Sequence, residues 1–238
     1  METIEDLQIA GLKFVQNDRV FRFGTDAVLL ASFCDLSAKD RVVDLGTGSG
    51  ILPLLLYGHT GASVIGIEIQ QEAFDLAVRN VKLNSAEDRI TMIKGDLREA
   101  RKLVDGKVTA VLCNPPYDRK GSGAENESEP VRLARHEELC TLEDVAMSAS
   151  SLLQTGGRFY MIHRASRMAE AIALLEKYRL TVKVLRLVAP SGKKEPNYVL
   201  IKAIRDAAPG LRILPTLNIC ESNGEHTGEL KKIYNGEY

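Results

Sequence analysis

Apolar residues recur along this chain in two alternating rhythms, short continuous runs and helical spacings, and the changes between them mark out its elements. Arg41–Val42–Val43–Asp44–Leu45 is a short strand candidate that stops at the turn Gly46–Thr47–Gly48–Ser49–Gly50. Ile51 to Tyr57 then predicts a helix, and Ser63 to Ile69 a second strand. Ala73 to Leu83 places Phe74, Ala77, Val78 and Val81 at helical spacing, and Arg89 to Lys94 predicts a third strand halted at Gly95–Asp96. A helix over Leu97 to Leu103 leads to a fourth strand, Ala110 to Cys113, which runs into Asn114–Pro115–Pro116–Tyr117. Asp118 to Pro130 is nearly devoid of apolar residues and predicts a loop. Leu142 to Leu153 predicts a helix ended by Gly156–Gly157, Arg158 to His163 a fifth strand, and Ser166 to Tyr178 a helix with Met168, Ile172 and Leu175 on one face. Thr181 to Val188 and Tyr198 to Ile204, joined by the turn-forming stretch from Pro190 to Asn197, predict an antiparallel hairpin.

Five strand units followed by a hairpin imply an α/β fold, with an open, mostly parallel seven-stranded sheet and an antiparallel edge hairpin. One domain is expected over residues 1–208, with an amino-terminal lead at 1–40 and the core at 41–208. Residues 209–238 read as a carboxy-terminal tail with a little extended structure, because Gly, Pro and Asn punctuate them and only Leu211 to Leu217 is apolar.

Composition narrows the classes. With 238 residues, 45% hydrophobic and 26% charged, the chain is an ordinary globular protein rather than a disordered, collagen-like or disulfide-scaffold one. The longest apolar run is far shorter than the roughly 20 residues a bilayer needs, and the first residues, Met1–Glu2–Thr3–Ile4–Glu5–Asp6, are acidic where a signal peptide is basic, so a cytoplasmic protein without a membrane partner is expected. Cys34, Cys113, Cys140 and Cys220 form no metal-ligand spacing and read as reduced, mostly buried thiols; no metal is expected. A net charge of −1 argues against coating nucleic acid through bulk charge but permits a local basic face.

The chemistry concentrates where strands end. At the carboxyl ends of a parallel sheet, glycines let backbone approach a ligand without a Cβ clash, and Gly46, Gly48 and Gly50 have the spacing G-x-G-x-G rather than the dinucleotide pattern G-x-G-x-x-G. Asp44, two residues before the first glycine, can reach a ligand ammonium. Glu68 ends the second strand, where a carboxylate can accept both ribose hydroxyls, and Asp96 follows the third, where it can accept from an adenine amino group; either acid alone serves equally well as a helix cap. This segment resembles the first motif of class I S-adenosylmethionine-dependent methyltransferases, which have a Rossmann-like fold. The resemblance implies that Asp44, Gly46, Gly48, Gly50, Glu68 and Asp96 hold S-adenosylmethionine, with ribose on Glu68 and adenine on Asp96.

Two consecutive prolines remove two backbone donors and fix φ, so Asn114–Pro115–Pro116–Tyr117 cannot continue a ladder and exposes its carbonyls rigidly. The Asn114 side-chain oxygen and the Pro115 carbonyl can accept both N–H bonds of an exocyclic amine, directing its lone pair toward a methyl sulfonium, and Tyr117 can stack on a flat substrate. The tetrapeptide resembles the catalytic motif of enzymes that methylate adenine N6, guanine N2 or glutamine N5. That assigns catalysis to Asn114, Pro115 and Tyr117, with Asn114 also bordering the cofactor.

Upstream, Gly24–Thr25–Asp26 leads into the apolar run Ala27–Val28–Leu29–Leu30 and predicts a helix start with Thr25 or Asp26 as cap. Together with Ala134–Arg135–His136–Glu137 and Asn197–Tyr198, these features resemble, over about residues 5 to 205, the bacterial tRNA (adenine-N6) methyltransferases that modify valine tRNA beside the anticodon. The resemblance implies that Thr25 and Asp26 contact the methionine end of the cofactor and that the partner is RNA, namely tRNA. Arg22, Arg119, Lys120, Arg135, Lys193 and Lys194 are candidate phosphate contacts near the crevice mouth, which position RNA without reading its sequence. A glutamine N5 or guanine N2 methyltransferase, and a non-catalytic S-adenosylmethionine-binding RNA scaffold, stay as alternatives; monomer and dimer are both open.

Overall fold

The computed structural model describes residues 2–17, 20, 23–115 and 140–237. The helices and strands expected between Arg41 and Ile204 form with small shifts at their ends, and the loop expected over 118–130 lies outside the described residues. Strands β3 (Arg41–Leu45), β4 (Ser63–Glu68), β5 (Ile90–Lys94), β6 (Val108–Cys113) and β7 (Leu153–Arg164) are mutually parallel neighbours, and β8 (Leu180–Ser191) and β9 (Tyr198–Arg205) form the antiparallel hairpin. β7 begins directly after the preceding helix. Gly156 and Gly157 therefore lie inside the strand rather than before it, at the register shift between Val108 and Ala110 of β6.

The sheet has eight strands rather than the seven expected, in the order β10-β8-β9-β7-β6-β3-β4-β5. The eighth, β10 (Arg212–Cys220), comes from the segment expected to be a tail, and it pairs in parallel with β8. Its alternation is hard to read, because Ile213 is exposed, Pro215 interrupts the donors and the register shifts between Leu214 and Leu217. After β10 a short helix, Gly228–Tyr234, buries Leu230 and Ile233 and is capped by Thr227, whose hydroxyl accepts from Leu230 N at 3.2 Å.

Helices cover both faces. On one lie α1 (Thr25–Phe33), α2 (Ile51–Thr60) and α3 (Gln71–Leu83), joined by the closing helix; on the other lie α4 (Ala100–Leu103), α5 (Leu142–Leu152) and α6 (Met168–Lys177). Val42 of β3 enters the first core and its neighbour Val43 the second. A strand buried on both faces must be apolar along its buried length, and beyond the half-buried Arg41 at its start this one is, except at Asp44. No helix among the described residues is long and apolar enough to cross a membrane.

The lead at 1–40 contains an unexpected hairpin, β1 (Glu2–Asp6) with β2 (Lys13–Asn17), outside the main sheet. It is fastened by two asparagines four residues apart, Asn80 in the last turn of α3 and Asn84 at its C-cap. Asn80 accepts from Val15 N at 2.7 Å and donates to Val15 O at 3.1 Å, and Asn84 accepts from Lys13 N at 2.8 Å and donates to Lys13 O at 2.7 Å. Each carboxamide thus stands in for a peptide group of a neighbouring strand.

Candidate active site

The chain moves outward from β3 to β4 and β5, then returns to place β6 on the other side of β3. This reversal opens a crevice at the carboxyl ends of the strands, the usual ligand position in such sheets. The glycine turn follows β3, Glu68 is the last residue of β4, Asp96 stands just beyond β5 and Asn114 just beyond β6. Four adjacent strands bring the four groups to one edge of the sheet.

Gly46, Gly48 and Gly50 have φ of 73°, 57° and 85°, a left-handed backbone that other residues adopt only with strain. Gly50 also leaves no room, since a Cβ there would stand 3.2 Å from Ala77 Cβ and 3.1 Å from Met92 Cε. Glu68 braces the turn. Its Oε2 accepts from Gly48 N at 2.8 Å and its Oε1 from Gln70 N at 2.7 Å, while Ile67 O accepts from both Gly46 N and Thr47 N at 3.0 Å. An ionised carboxylate has about four acceptor positions, so each oxygen keeps capacity for a ligand hydroxyl. Asn80, the anchor of the hairpin, also donates to Ser49 O at 3.0 Å and ties the turn to α3.

Asp44 is fully buried and neither carboxylate oxygen has a hydrogen-bond partner among the described residues. Burial pushes its carboxyl up to about 7; the nearby Thr47 hydroxyl opposes this and the Glu68 carboxylate reinforces it. A buried orphan acid two residues before a ligand-binding turn needs a cation or a donor, and the ammonium expected there fits.

The other expected residues divide. Asn114 is half-buried and its Nδ2 donates to Asp26 Oδ2 at 2.9 Å, and Pro115 is buried beside it. Neither Thr25 nor Asp26 caps α1. The cap position is Gly24, which makes no side-chain cap bond, because the Asp26 carboxylate is turned to Asn114 and the Thr25 hydroxyl lies 2.8 Å from Tyr234 OH of the closing helix. Asp96 caps the short turn Leu97–Glu99 by accepting from Arg98 N at 2.9 Å, and Arg98 Nε reaches both its oxygens at 3.0 and 2.8 Å. The Arg98 hydrogen bond holds this carboxyl below its usual range. Lys193 and Lys194 occupy the exposed β8–β9 connection at the same end of the sheet as the crevice. Arg22, Tyr117, Arg119, Lys120 and Arg135, with Pro116 and Ala134–Arg135–His136–Glu137, lie outside the described residues.

Sequence reasoning missed Asn80 and the pairing of Asp26 with Asn114. A signal for Asn80 was available: an asparagine inside a helix, where it is a poor former, points to a side chain with hydrogen-bonding work elsewhere.

Comparison with known proteins shows the family. The family described as the methyltransferase small domain matches residues 13–188. A curated relative from Porphyromonas gingivalis, named tRNA1(Val) (adenine(37)-N6)-methyltransferase, is 31% identical over 193 residues, covering 78% of this chain and 75% of its own. One of the same name from Shewanella woodyi is 27% identical over 222 residues, covering 90% of each. Among solved structures, a predicted O-methyltransferase from Agrobacterium tumefaciens superposes with a TM-score of 0.73 at 25% identity, covering 89% of this chain and 96% of that one.

Proposed function

Since the chain belongs to the methyltransferase small domain family, we propose that it transfers a methyl group from S-adenosylmethionine to the N6 amine of an adenine in tRNA, beside the anticodon. The observation that carries this reading is the juxtaposition, on adjacent strands β6 and β3, of an oriented Asn114–Pro115 carbonyl pair and a glycine turn with an orphaned buried carboxylate. The names of the relatives supply the tRNA and the position.

Asp44 takes the cofactor's ammonium, Glu68 its ribose, and the turn Gly46–Gly50 gives its backbone to the methionine moiety. Asp96 takes the adenine amine once Arg98, 46% exposed, turns outward. Thr25, beside Asp26 at the start of α1, is assigned to the methionine end of the cofactor. When bound, S-adenosylmethionine supplies a methyl group on an electron-poor sulfur. Asn114 Oδ1 and the Pro115 carbonyl accept the two N–H bonds of the target amine and aim its lone pair at that carbon. The N–C bond forms as the C–S electron pair passes to sulfur, and the surplus proton leaves to water. Tyr117 stacks on the base, which must be unstacked from its neighbours to reach the crevice. Arg22, Arg119, Lys120, Arg135, Lys193 and Lys194 contact phosphates. We assign the working unit to residues 1–208, in the cytoplasm, with 209–238 completing its sheet edge.

Asp44 makes cofactor binding depend on pH. Binding an ammonium requires the ionised carboxylate, and the ligand-free protein keeps the proton up to about 7. Affinity should be greatest between about 7 and the ordinary α-amino value of about 8 and fall on both sides by up to about tenfold per pH unit, as Asp44 gains a proton below and the ammonium loses one above. The same upward shift makes the ligand-free fold lose stability as pH rises from about 4, the unfolded value, to about 7, because the folded state then binds more protons. Calorimetry in buffers of different ionisation enthalpy should detect the released proton near neutrality. An affinity that does not change from acid to alkaline pH removes the ammonium from Asp44.

The substrate is tested by incubating the protein with labelled cofactor and either unmodified tRNA or a release-factor protein. N6-methyladenosine in tRNA supports the proposal, whereas N5-methylglutamine in the protein overturns the choice of substrate.

A further inference from the structure

The bond between Asp26 and Asn114 joins residues 88 positions apart, one in the first turn of α1 and one at the end of β6. A carboxylate without its proton only accepts, so it selects the nitrogen arm of the carboxamide. Because the amide is planar, placing Nδ2 on Asp26 places Oδ1 on the other arm, the acceptor that the amine clamp requires. An asparagine turned by half a rotation would present N–H groups to an N–H substrate. A charged acceptor on Nδ2 also polarises the amide and puts more negative charge on Oδ1, where positive charge grows on the amine during transfer.

The local sequence is arranged for this contact. Gly24 caps α1 with no side chain of its own, and a Cβ there would stand 2.8 Å from Asp26 Oδ1. The glycine leaves the space into which the acid folds instead of capping its own helix. Thr25 is held by Tyr234, so the first turn of α1 is fixed on both sides.

We propose that Asp26 is a positioning residue that sets the orientation and basicity of the Asn114 carboxamide, acting on the amine through Asn114 rather than by contact with the cofactor. This rests on the amine-methylating reading above. Asp26→Ala should lower kcat about 10- to 30-fold while KM for the cofactor stays within about twofold. Asp26→Asn, which keeps size and an acceptor but loses charge and selectivity, should fall between that variant and the native protein. In the Asn114→Ala background, Asp26→Ala should have almost no further effect on kcat, because the group through which it acts is gone.

A second readout needs no turnover. In the ligand-free protein, nitrogen-15 NMR should show one Asn114 side-chain amide proton shifted downfield and protected from exchange, and Asp26→Ala should abolish both features. An unchanged kcat in Asp26→Ala, an equal loss in both backgrounds, or Asn114 resonances that do not move would each overturn the assignment. Label found on glutamine N5 would sink the tRNA reading and leave the Asp26 ratios standing, whereas a native protein that transfers to neither tRNA nor protein overturns both.

Discussion

Replacing Asn114 with alanine is expected to reduce methyl transfer by roughly 10²- to 10³-fold, the usual loss when a preorganised polar contact to developing charge is removed. The cofactor's dissociation constant should change by no more than about twofold, since its ammonium and ribose are held from β3 and β4 and Asn114 only borders it. The fold should tolerate the change. Asn114 is half-buried at the end of β6, and Asp26, left without the Nδ2 donor, lies at an incompletely buried helix start where water can replace it. Single-turnover rates with saturating cofactor separate the chemical step from binding. Native rates in Asn114→Ala would abolish the amine clamp, and a parallel collapse of cofactor affinity would move Asn114 from catalysis to binding.

Glu68→Ala should act on the opposite quantity. A hydrogen bond to a charged group is worth about 1.5–3 kcal/mol, so losing even one ribose contact should weaken cofactor binding by roughly 10- to 10²-fold. The structure adds a second reason. Gly48 N and Gln70 N both lose their acceptor, so the glycine turn is no longer braced in the conformation that admits the ligand. Glu68→Gln keeps an acceptor for one of these amides and should show an intermediate loss. Calorimetry measures the affinity, and thermal unfolding shows whether the variants remain folded. A folded Glu68→Ala with native affinity would exclude Glu68 from the cofactor site.

The parallel core was legible because its signals are local. Val42, Val43 and Leu45 are apolar on both faces for a reason that topology imposes, and Asp44 stands out because a buried strand seldom carries an acid. The positions of Glu68, Asp96 and Asn114 were legible for a related reason: in a doubly wound sheet every parallel strand delivers its last residue to the same edge. The illegible parts depend on distant partners. Strands β1 and β2 have five residues each, and what fastens them is a pair of side chains on α3. The pairing of Thr25 with Tyr234 spans 209 positions, and nothing periodic near either residue announces it. Asp26 looked like a helix cap by every local rule, and only the fold shows its carboxylate turned to Asn114. Asp96 carried both readings from the start, and its capping role is the one made by its own neighbour, Arg98.

The asparagine pair on α3 also bears on solubility. A two-stranded ribbon outside the main sheet has two open edges, each a template on which another chain could add a strand and begin to aggregate. On β2 the outward peptide groups of Lys13 and Val15 are already taken by carboxamides of Asn84 and Asn80, which end the ladder because a helix carries them. The β1 edge keeps a different guard: Ile4 is exposed there but is followed by Glu5 and Asp6, whose like charges repel a second copy laid alongside, while Glu2 is paired with Arg79. One edge is therefore closed by mimicry of a strand and the other guarded by charge, which disfavours the addition of a further strand to the small ribbon beside the eight-stranded sheet.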